Sequence, residues 1–452
     1  MRNSGVSPAR KAACDILLAV ERGQGHADDL LREPAVNALS QPDRNLATTL
    51  VLGVLRWQIR LDQQLKQFLT KPNAKLDAEV LVALRLGAFQ LLHLDRIPAH
   101  AAIGESVELA RQAGHRFASG MVNAVLRKLS RESGDRPELS DLNCEQAHSA
   151  WLVDRWKNAY GVDTARAICR FGQQQPELSL RVADVKSERE LIDAGILLAP
   201  ARLLTSARTV LTGDVTATPA FREGRVRIQD QGSQFIAEIA ASTGLVQKVK
   251  GVIDTCAAPG GKTMILAERN FKSHIVACEA SPLRLAALRE RVAAFGGRIE
   301  CRLADAAEIR ECDKYDVALA DVPCSGTGTL GRNPEIRHRL KLEDLSRHAE
   351  RQRAILRAAV RAVKPGGCIV YSTCSLEAEE NEQVVEAVLA HQSGIRQVPL
   401  TARIDALHAA GIVTDEGETN LKERLTVEGA VRLIPGTLGT DGFFVALLEK
   451  AG

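Results

Sequence analysis

Several features that mark particular protein classes are missing from this 452-residue sequence. Its ten cysteines include no pair with C-x-x-C spacing, which argues against a zinc ribbon, and their scatter suggests no disulfide framework. We therefore expect reduced thiols and no metal. A long apolar run is also missing, because the most apolar stretch, residues 81–94, contains Arg85 and His93. The start of the chain lacks a basic segment followed by an apolar one. These absences predict a soluble, unsecreted, cytoplasmic protein with no membrane partner.

Strong net charge and aromatic residues are scarce as well. A net charge of +3 excludes a uniformly basic coat for nucleic acid. The basic excess lies in residues 1–130, with 17 Lys and Arg against 12 Asp and Glu, which hints at a polyanionic partner but also fits an ordinary surface. Aromatic residues make up 4% of the chain, yet Trp151, Trp156 and Tyr160 lie close together. They could stack on bases, although core packing is the favoured interpretation because tryptophan is mostly buried.

The chain length predicts about three domains. Apolar residues recur at helical spacing at the start of the chain, whereas strand and helix patterns alternate towards its end. We predict an α/β protein with an all-helical domain over residues 1–130, a polar linker over 131–144, a small α+β module over 145–225 and a Rossmann-like, doubly wound domain over 226–452. An antiparallel hairpin of residues 431–435 and 443–450 is expected at the sheet edge.

Within the helical domain, Asp43 is a candidate helix cap. The stretch from residue 43 to residue 62, DRNLATTLVLGVLRWQIRLD, resembles the RNA-binding domain of the NusB antitermination family. That resemblance implies an RNA-binding front domain. Arg44, Arg56 and Arg60 could contact phosphates, with solvated helix faces as the default interpretation.

Residues 252–263, VIDTCAAPGGKT, have the pattern of a strand, a glycine turn and a helix. Gly261, Lys262 and Thr263 match the end of a phosphate-binding loop, but Cys256 stands where its first glycine is required. The G-x-G-x-x-G spacing of a dinucleotide site is also missing. A nucleotide-like ligand without a pyrophosphate therefore fits better.

Carboxylates follow the next two strand patterns. Glu279 is placed to accept hydrogen bonds from ribose hydroxyls, and Asp305 could meet an adenine edge. Either acid could instead cap the next helix. Together with the glycine loop they suggest S-adenosylmethionine as cofactor, with the candidate contacts Cys256, Ala257, Ala258, Pro259, Gly260, Gly261, Lys262, Glu279, Asp305 and Asp321.

Two cysteines follow predicted strand ends. Cys324 lies in DVPCSGTG, which begins at Asp321, and Cys374 lies in YSTCS. One such thiol alone is usually buried and inert, but two at adjacent strand ends, each before a serine, indicate catalysis. Residues 333–335 and Arg337 are candidates for gripping the backbone of a nucleic acid, and a solvated helix start is the alternative for Arg337.

The four stretches CAAPGGK, DVPCSGTG, YSTCSLEAEENE and TDGFF resemble the RNA cytosine-C5 methyltransferase family named after Nol1, Nop2 and Sun, over about residues 226–450. Together with the NusB-like N-terminal domain, the resemblance implies methylation of small-subunit (16S) ribosomal RNA by S-adenosylmethionine. It further implies that Cys374 adds to carbon 6, that Asp321 stabilises the adduct and that Cys324 releases it. Glu279 stands where the family usually has aspartate, and DVPC replaces the commoner DAPC.

Other interpretations stay open at this point. A non-catalytic RNA-binding or assembly factor could keep the fold as a scaffold. An amino-group methyltransferase would normally carry an Asp/Asn-Pro-Pro-aromatic loop in place of DVPC. Lys262 could set the polarity of its loop or hold Asp321, and the acidic run at residues 377–382 is expected at a helix N-terminus rather than at a metal. A monomer is expected.

Overall fold

The computed structural model describes residues 5–73, 75–132, 140–182, 184–243 and 248–452. They form two compact units, one of Met1–Gln175 with Leu330–Arg339 and one of Pro176–Thr329 with Leu340–Gly452. The predicted linker lies partly in helices on both sides, and residues 133–139 fall outside the described residues. The predicted boundaries at 130, 145 and 225 stay a prediction.

The first unit is helical. Its elements up to residue 175 are α1 (Pro8–Glu21), α2 (Ala27–Leu31), α3 (Pro34–Asn37), α4 (Gln41–Phe68), α5 (Ala78–His93), α6 (Ala99–Gln112), α7 (Ser119–Glu132), α8 (Asp141–Gln146), α9 (Ala150–Tyr160) and α10 (Val162–Gln173). Apolar side chains at helical spacing, such as Leu50 and Leu61 of α4, are fully buried between the helices. Trp156 is also buried, so for this residue core packing is confirmed. The cap of α4 is Ser40 rather than Asp43, because the Ser40 Oγ accepts a hydrogen bond from the Asp43 N–H.

The second unit begins with a small antiparallel sheet. It contains β1 (Leu178–Val182), α11 (Val185–Asp193), β2 (Leu197–Pro200), β3 (Ala207–Thr212), α12 (Pro219–Arg222) and β4 (Val226–Ile228). The strand order is β2-β3-β1-β4. Thus the helices α9 and α10 of the predicted α+β module lie in the first unit and its strands in the second.

The larger sheet follows along the chain. Its elements, with one short helix of the first unit (α16), are α13 (Gln231–Ala241), β5 (Gly251–Asp254), α14 (Gly261–Arg269), β6 (His274–Glu279), α15 (Pro282–Val292), β7 (Ile299–Leu303), β8 (Tyr315–Asp321), α16 (Ile336–Arg339), α17 (Leu342–Ala362), β9 (Val363–Thr373), α18 (Glu382–Leu389), β10 (Ile395–Val398), α19 (Thr401–Ala409), α20 (Asp415–Glu423), β11 (Val431–Leu433) and β12 (Phe443–Lys450). The strand order is β10-β12-β9-β8-β5-β6-β7. The predicted α/β fold is confirmed.

The larger sheet has two apolar faces. Neighbouring residues of β8, Val317 and Ala318, lie in different hydrophobic clusters, as period-two alternation requires. Strands β7, β6, β5, β8 and β9 are parallel, whereas β12 pairs antiparallel with β9, β10 and β11. The predicted hairpin therefore forms, but its second strand lies inside the sheet and not at the edge. The parallel strands put the ends of β5, β6, β8 and β9 at one edge, where such sheets bind ligands.

Arg337 anchors the segment Leu330–Arg339 inside the helical unit. Its side chain is 1% exposed, and its guanidinium donates to the backbone oxygens of Arg56, Ala147, Gly172 and Leu330 and to the Gln173 Oε1. Burial lowers the pKa of Arg337 to about 9, so the group stays charged at neutral pH. The predicted contact of Arg337 with a nucleic-acid backbone is therefore wrong. The alternative, a solvent-exposed side chain at a helix start, is also wrong, because this side chain is enclosed.

We expect Arg337→Met to lower the free energy of unfolding by about 2–4 kcal/mol, because several buried oxygens would lose their donor. Chemical denaturation followed by circular dichroism measures the change. Arg357→Met is the matched control, since Arg357 is exposed on α17. Equal denaturation midpoints for the two variants would contradict a structural role for Arg337.

No helix within the described ranges is long and apolar enough to cross a bilayer.

Candidate active site

The predicted donor loop leaves β5 and enters α14. Gly260 has a φ of 103°, and a Cβ there would lie 2.8 Å from the Leu288 side chain, so a larger residue would be strained and would clash. A Cβ on Gly261 would lie 3.1 Å from the Gln229 amide. The backbone therefore approaches its neighbours closely, as the glycine pattern predicts.

A cavity of about 120 Å³ lies beside this loop. The loop residues 256–259, 261 and 262 line it together with Asp254 and Asp321. The Asp254 Oδ2 accepts a hydrogen bond from the Thr263 Oγ1 at 2.7 Å, whereas its buried Oδ1 has no partner among the described residues. Burial raises the pKa of Asp254 to about 6.

An unpaired carboxylate oxygen in a cavity suits a ligand that carries positive charge and N–H donors. S-adenosylmethionine carries both an ammonium and a sulfonium group, so the residues present fit this cofactor. Sequence reasoning missed Asp254, although an acid at the end of the strand before a glycine loop was a usable signal.

Glu279 and Asp305 do not line this cavity. Glu279, at the end of β6, accepts from the Ser281 N–H at 2.8 Å, and Arg284 lies 3.7 Å from the Glu279 carboxylate while donating to the Ala258 oxygen. Asp305 accepts from the Ala307 N–H at 3.0 Å and pairs with Arg351. Arg284 thus connects Glu279 with the donor loop, whereas Asp305 makes the cap that was considered as its alternative.

Lys262 and Asp321 form an ion pair at 2.7 Å. The Asp321 Oδ1 also accepts from the Ser372 Oγ at 2.7 Å. Burial opposes the charge on Lys262, but the Asp321 carboxylate and the nearby Cys374 outweigh it and raise the pKa of the lysine. Of the two roles left open for Lys262, the structure therefore shows the contact with Asp321.

Cys324 and Cys374 are brought together by the ends of β8 and β9. Asp321 and Ser372 are register partners in these strands, and the two Sγ atoms lie 3.2 Å apart as free thiols. The hydrogen bond to Cys374 and burial hold the pKa of the Cys324 thiol well above its usual value. At neutral pH Cys324 is therefore protonated, so its S–H is available to donate to the Cys374 sulfur.

Glu380 links the loop that contains Cys324 to the loop that contains Cys374. Its fully buried carboxylate accepts from the Ser325 N–H at 2.8 Å and from the hydroxyls of Ser325 and Ser375, which follow the two cysteines. Gln352 and His348 contact it from α17 at 2.9 Å and 3.1 Å. Burial opposes its charge, but His348 and the two serines lower the pKa of Glu380 below its usual value.

The acidic run was therefore wrongly interpreted at Glu380, whose carboxylate faces the cysteine loops rather than a helix N-terminus. No group of side chains in the described part of the chain could hold a metal ion.

We expect Glu380→Gln to lower the rate of methyl transfer by about 10²-fold, because glutamine cannot accept from all five groups and the thiols would shift. Binding of S-adenosylmethionine, measured by calorimetry, should stay unchanged. Glu386→Gln, at an exposed position of α18, is the matched control and should react at the normal rate. Normal turnover in both variants would rule out a positioning role for Glu380.

Comparison with known proteins gives matches along nearly the whole chain. Residues 245–449 match the family described as 16S rRNA methyltransferase RsmB/F, residues 7–131 match the NusB family, and residues 148–196 match the ferredoxin-like domain of RsmF/B-like methyltransferases.

Two relatives and one solved structure match this chain over nearly its whole length. The probable ribosomal RNA small subunit methyltransferase B of Bacillus subtilis is 34% identical over 98% of this chain and 99% of its own length. The ribosomal RNA small subunit methyltransferase B of Pseudomonas syringae pv. tomato is also 34% identical, over 98% of this chain and 96% of its own length. The crystal structure of the protein PH0851 is 26% identical, with a TM-score of 0.77 over 99% of both chains.

Proposed function

The chain belongs to the 16S rRNA methyltransferase RsmB/F family, and on that premise we propose that it methylates carbon 5 of a cytosine through a covalent bond between Cys374 and carbon 6. Its cofactor is S-adenosylmethionine. The observation that carries the proposal is the pair of thiols, 3.2 Å apart at neighbouring strand ends and close to the ion pair of Lys262 and Asp321.

The first step is addition of the Cys374 sulfur to carbon 6. Carbon 5 of cytosine is too weak a nucleophile to react unaided, and a sulfur on carbon 6 turns the ring into an enamine-like nucleophile. Cys374 suits this role because the Cys324 S–H donates to its sulfur and the Lys262 ammonium stabilises negative charge there. The electrons of the C5=C6 bond then move towards C4 and N3. Bound S-adenosylmethionine supplies an electrophilic methyl group, which carbon 5 takes up.

Asp321 transfers a proton to N3 and later takes it back. Its carboxylate is held by Lys262 on one oxygen and by Ser372 on the other. As negative charge builds on N3, a proton from solvent passes to the ring through Asp321, while the Lys262 ammonium keeps its own proton and stabilises the Asp321 carboxylate. The proton returns by the same path when the adduct breaks down, because N3 then regains its neutral form.

Cys324 performs the release step. Two of the causes that raise its pKa are the hydrogen bond and the charge of Cys374. A Cys374 sulfur bonded to carbon 6 carries no negative charge, so Cys324 is easier to deprotonate in the adduct than in the free protein. Solvent water takes the Cys324 S–H proton, and the resulting thiolate, directly or through a second water, then removes the proton from carbon 5. The C5–H electrons form the C5=C6 bond, and Cys374 leaves as a thiolate.

The assembly factor and the amino-group methyltransferase, the two other interpretations, would require different residues at this site. An RNA-binding assembly factor needs neither the contact between the thiols nor the Lys262 pair. An amino-group methyltransferase needs no nucleophilic sulfur, and the residue after Pro323 is here a cysteine in contact with a second one.

Methyl transfer from labelled S-adenosylmethionine, followed by nucleoside analysis, tests the proposal. Protein-free 16S ribosomal RNA and assembled small subunits are offered separately, so that the form of the substrate is also determined. Label in 5-methylcytidine is expected with one of them. Label only in an N-methylated nucleoside would indicate an amino-group methyltransferase, and no label with either substrate would favour the assembly factor.

A further inference from the structure

The helical unit contains a cavity that the methyl-transfer site does not use. Its volume is about 410 Å³, within the range of about 300–1,000 Å³ that is usual for small-molecule sites. Side chains of α4 and α5 line it, together with Gln173 and Gln175 at the end of α10. All of these residues belong to the first unit.

One wall of the cavity is a stack of three rings. The His93 imidazole stacks on Trp57 at a centroid distance of 4.7 Å and on Phe89 at 5.2 Å, with interplanar angles of 25° and 24°. A Cβ on Gly53 would lie 2.0 Å from the Phe89 ring, so the stack depends on a glycine in α4. Trp57 and Phe89 are buried, whereas His93 is only half-buried. The wall is therefore preformed and offers aromatic surface to a flat ligand.

A buried positive charge lies at the same cavity. Arg56 is 8% exposed, and its Nε and Nη2 donate to the Gly331 oxygen, while its Nη1 makes no hydrogen bond to any described residue. No carboxylate in the described ranges forms an ion pair with it, and Arg332 adds a second positive charge nearby. Because an uncompensated buried charge is costly, an anion at this place would be favoured.

Polar groups at the cavity could contact the edge of a ligand. The side chains of Thr48 and Gln175 make no hydrogen bond within the described structure, and the Asn45 amide nitrogen likewise has no acceptor there. Side-chain amides offer a donor and an acceptor side by side, which is the pattern that nucleobase edges pair with. By contrast, Gln173 is held by Arg337 and by the Arg56 oxygen.

We propose that this cavity binds one unpaired nucleotide of the RNA substrate, with its base against this aromatic wall and its phosphate beside Arg56. A flat face, free amide groups and an unneutralised guanidinium together match a nucleotide better than an apolar ligand or a simple anion. That the nucleotide belongs to RNA rests on the proposed function. The cavity would hold a nucleotide other than the cytosine that is methylated.

Two variants test the proposal in the full-length protein. His93→Ala removes the ring of the wall that stacks on the other two, and Thr49→Trp places a bulky side chain at an exposed position of the lining. Each should weaken binding of a single-stranded oligoribonucleotide roughly 5- to 100-fold, as expected for one stacked base. Fluorescence anisotropy measures this binding, with S-adenosylhomocysteine present. The affinity for S-adenosylhomocysteine should not change.

The controls separate stacking from loss of fold. His100→Ala removes an exposed histidine outside the cavity, and Gln67→Trp adds the same bulk at an exposed position of α4. Both should bind the oligoribonucleotide like the wild type, and thermal unfolding confirms that all four variants are folded.

Three outcomes would overturn the proposal. The first is wild-type RNA affinity in both cavity variants. The second is equal weakening for a fully paired duplex. The third is adenosine monophosphate binding as tightly as the oligonucleotide, which would assign the cavity to free nucleotides. Because none of these measurements uses methyl transfer, a failure here is distinguishable from a failure of the proposed reaction.

Discussion

Replacing Cys374 with alanine should lower methyl transfer by about 10³-fold or more, because carbon 5 then stays an unactivated ring carbon. The cofactor cavity should still bind S-adenosylmethionine, since Cys374 does not line it. Single-turnover transfer of labelled methyl groups to ribosomal RNA measures the rate, and calorimetry measures the binding. A loss of rate without a loss of cofactor binding would identify Cys374 as the nucleophile.

Cys312→Ala is the matched control for Cys374→Ala. Cys312 is an exposed free thiol that follows β7 and contacts neither catalytic cysteine, so its removal should leave the rate unchanged. Turnover of Cys374→Ala at a rate near that of Cys312→Ala would exclude addition of Cys374 to carbon 6. In that case the family fold would stand and a different activation of the base would be required.

Replacing Cys324 with alanine should make the covalent protein-RNA complex accumulate until most of the enzyme is trapped. Addition and methyl transfer need the Cys374 sulfur, but breakdown of the adduct needs a base for the proton on carbon 5. In the wild-type protein Cys324 lies 3.2 Å from Cys374, and the proposed mechanism gives it the role of that base. A denaturing gel with labelled RNA should show a slowly migrating band, and mass spectrometry after nuclease digestion should find a methylated cytidine on Cys374.

The double variant, with alanine at both positions, is the control for this experiment. It should give no such band, because it has no sulfur to add to carbon 6. If Cys324→Ala releases its product at the wild-type rate, another group removes the proton. If it gives no adduct and no product, Cys324 acts before methyl transfer rather than after it.

Both predictions depend on how the two thiols differ. In the proposed mechanism, their pairing lets one resting structure favour the attack of Cys374 first and the release step later. While Cys374 is free, its hydrogen bond and charge keep Cys324 protonated. When Cys374 is bonded to carbon, both influences end. The change in the pKa of Cys324 thus needs no movement of the backbone. It needs only the bond between the Cys374 sulfur and carbon 6.

Much of this protein could be determined from its sequence. Short apolar runs ending in Asp254, Glu279, Asp321 and Thr373 predict parallel strands, because strands of such a sheet are covered on both faces. Strand ends in such a sheet share one edge, so the cysteines after β8 and β9 could be expected to meet. Local patterns were sufficient there because the neighbours of each residue follow from the regular geometry of the sheet.

Only the tertiary structure decided which partners the polar side chains have. Arg337 has the sequence context of a basic helix start, yet it is enclosed by backbone oxygens of residues up to 281 positions away. Glu380 lies in an acidic run, yet its carboxylate binds Ser325, 55 residues earlier. Asp254 has a position that the sequence indicates, but only the structure shows that one of its oxygens is unpaired beside a cavity. A buried polar group is stable only beside partners that satisfy it, and those partners come from distant parts of the chain, which patterns of three or four residues do not record.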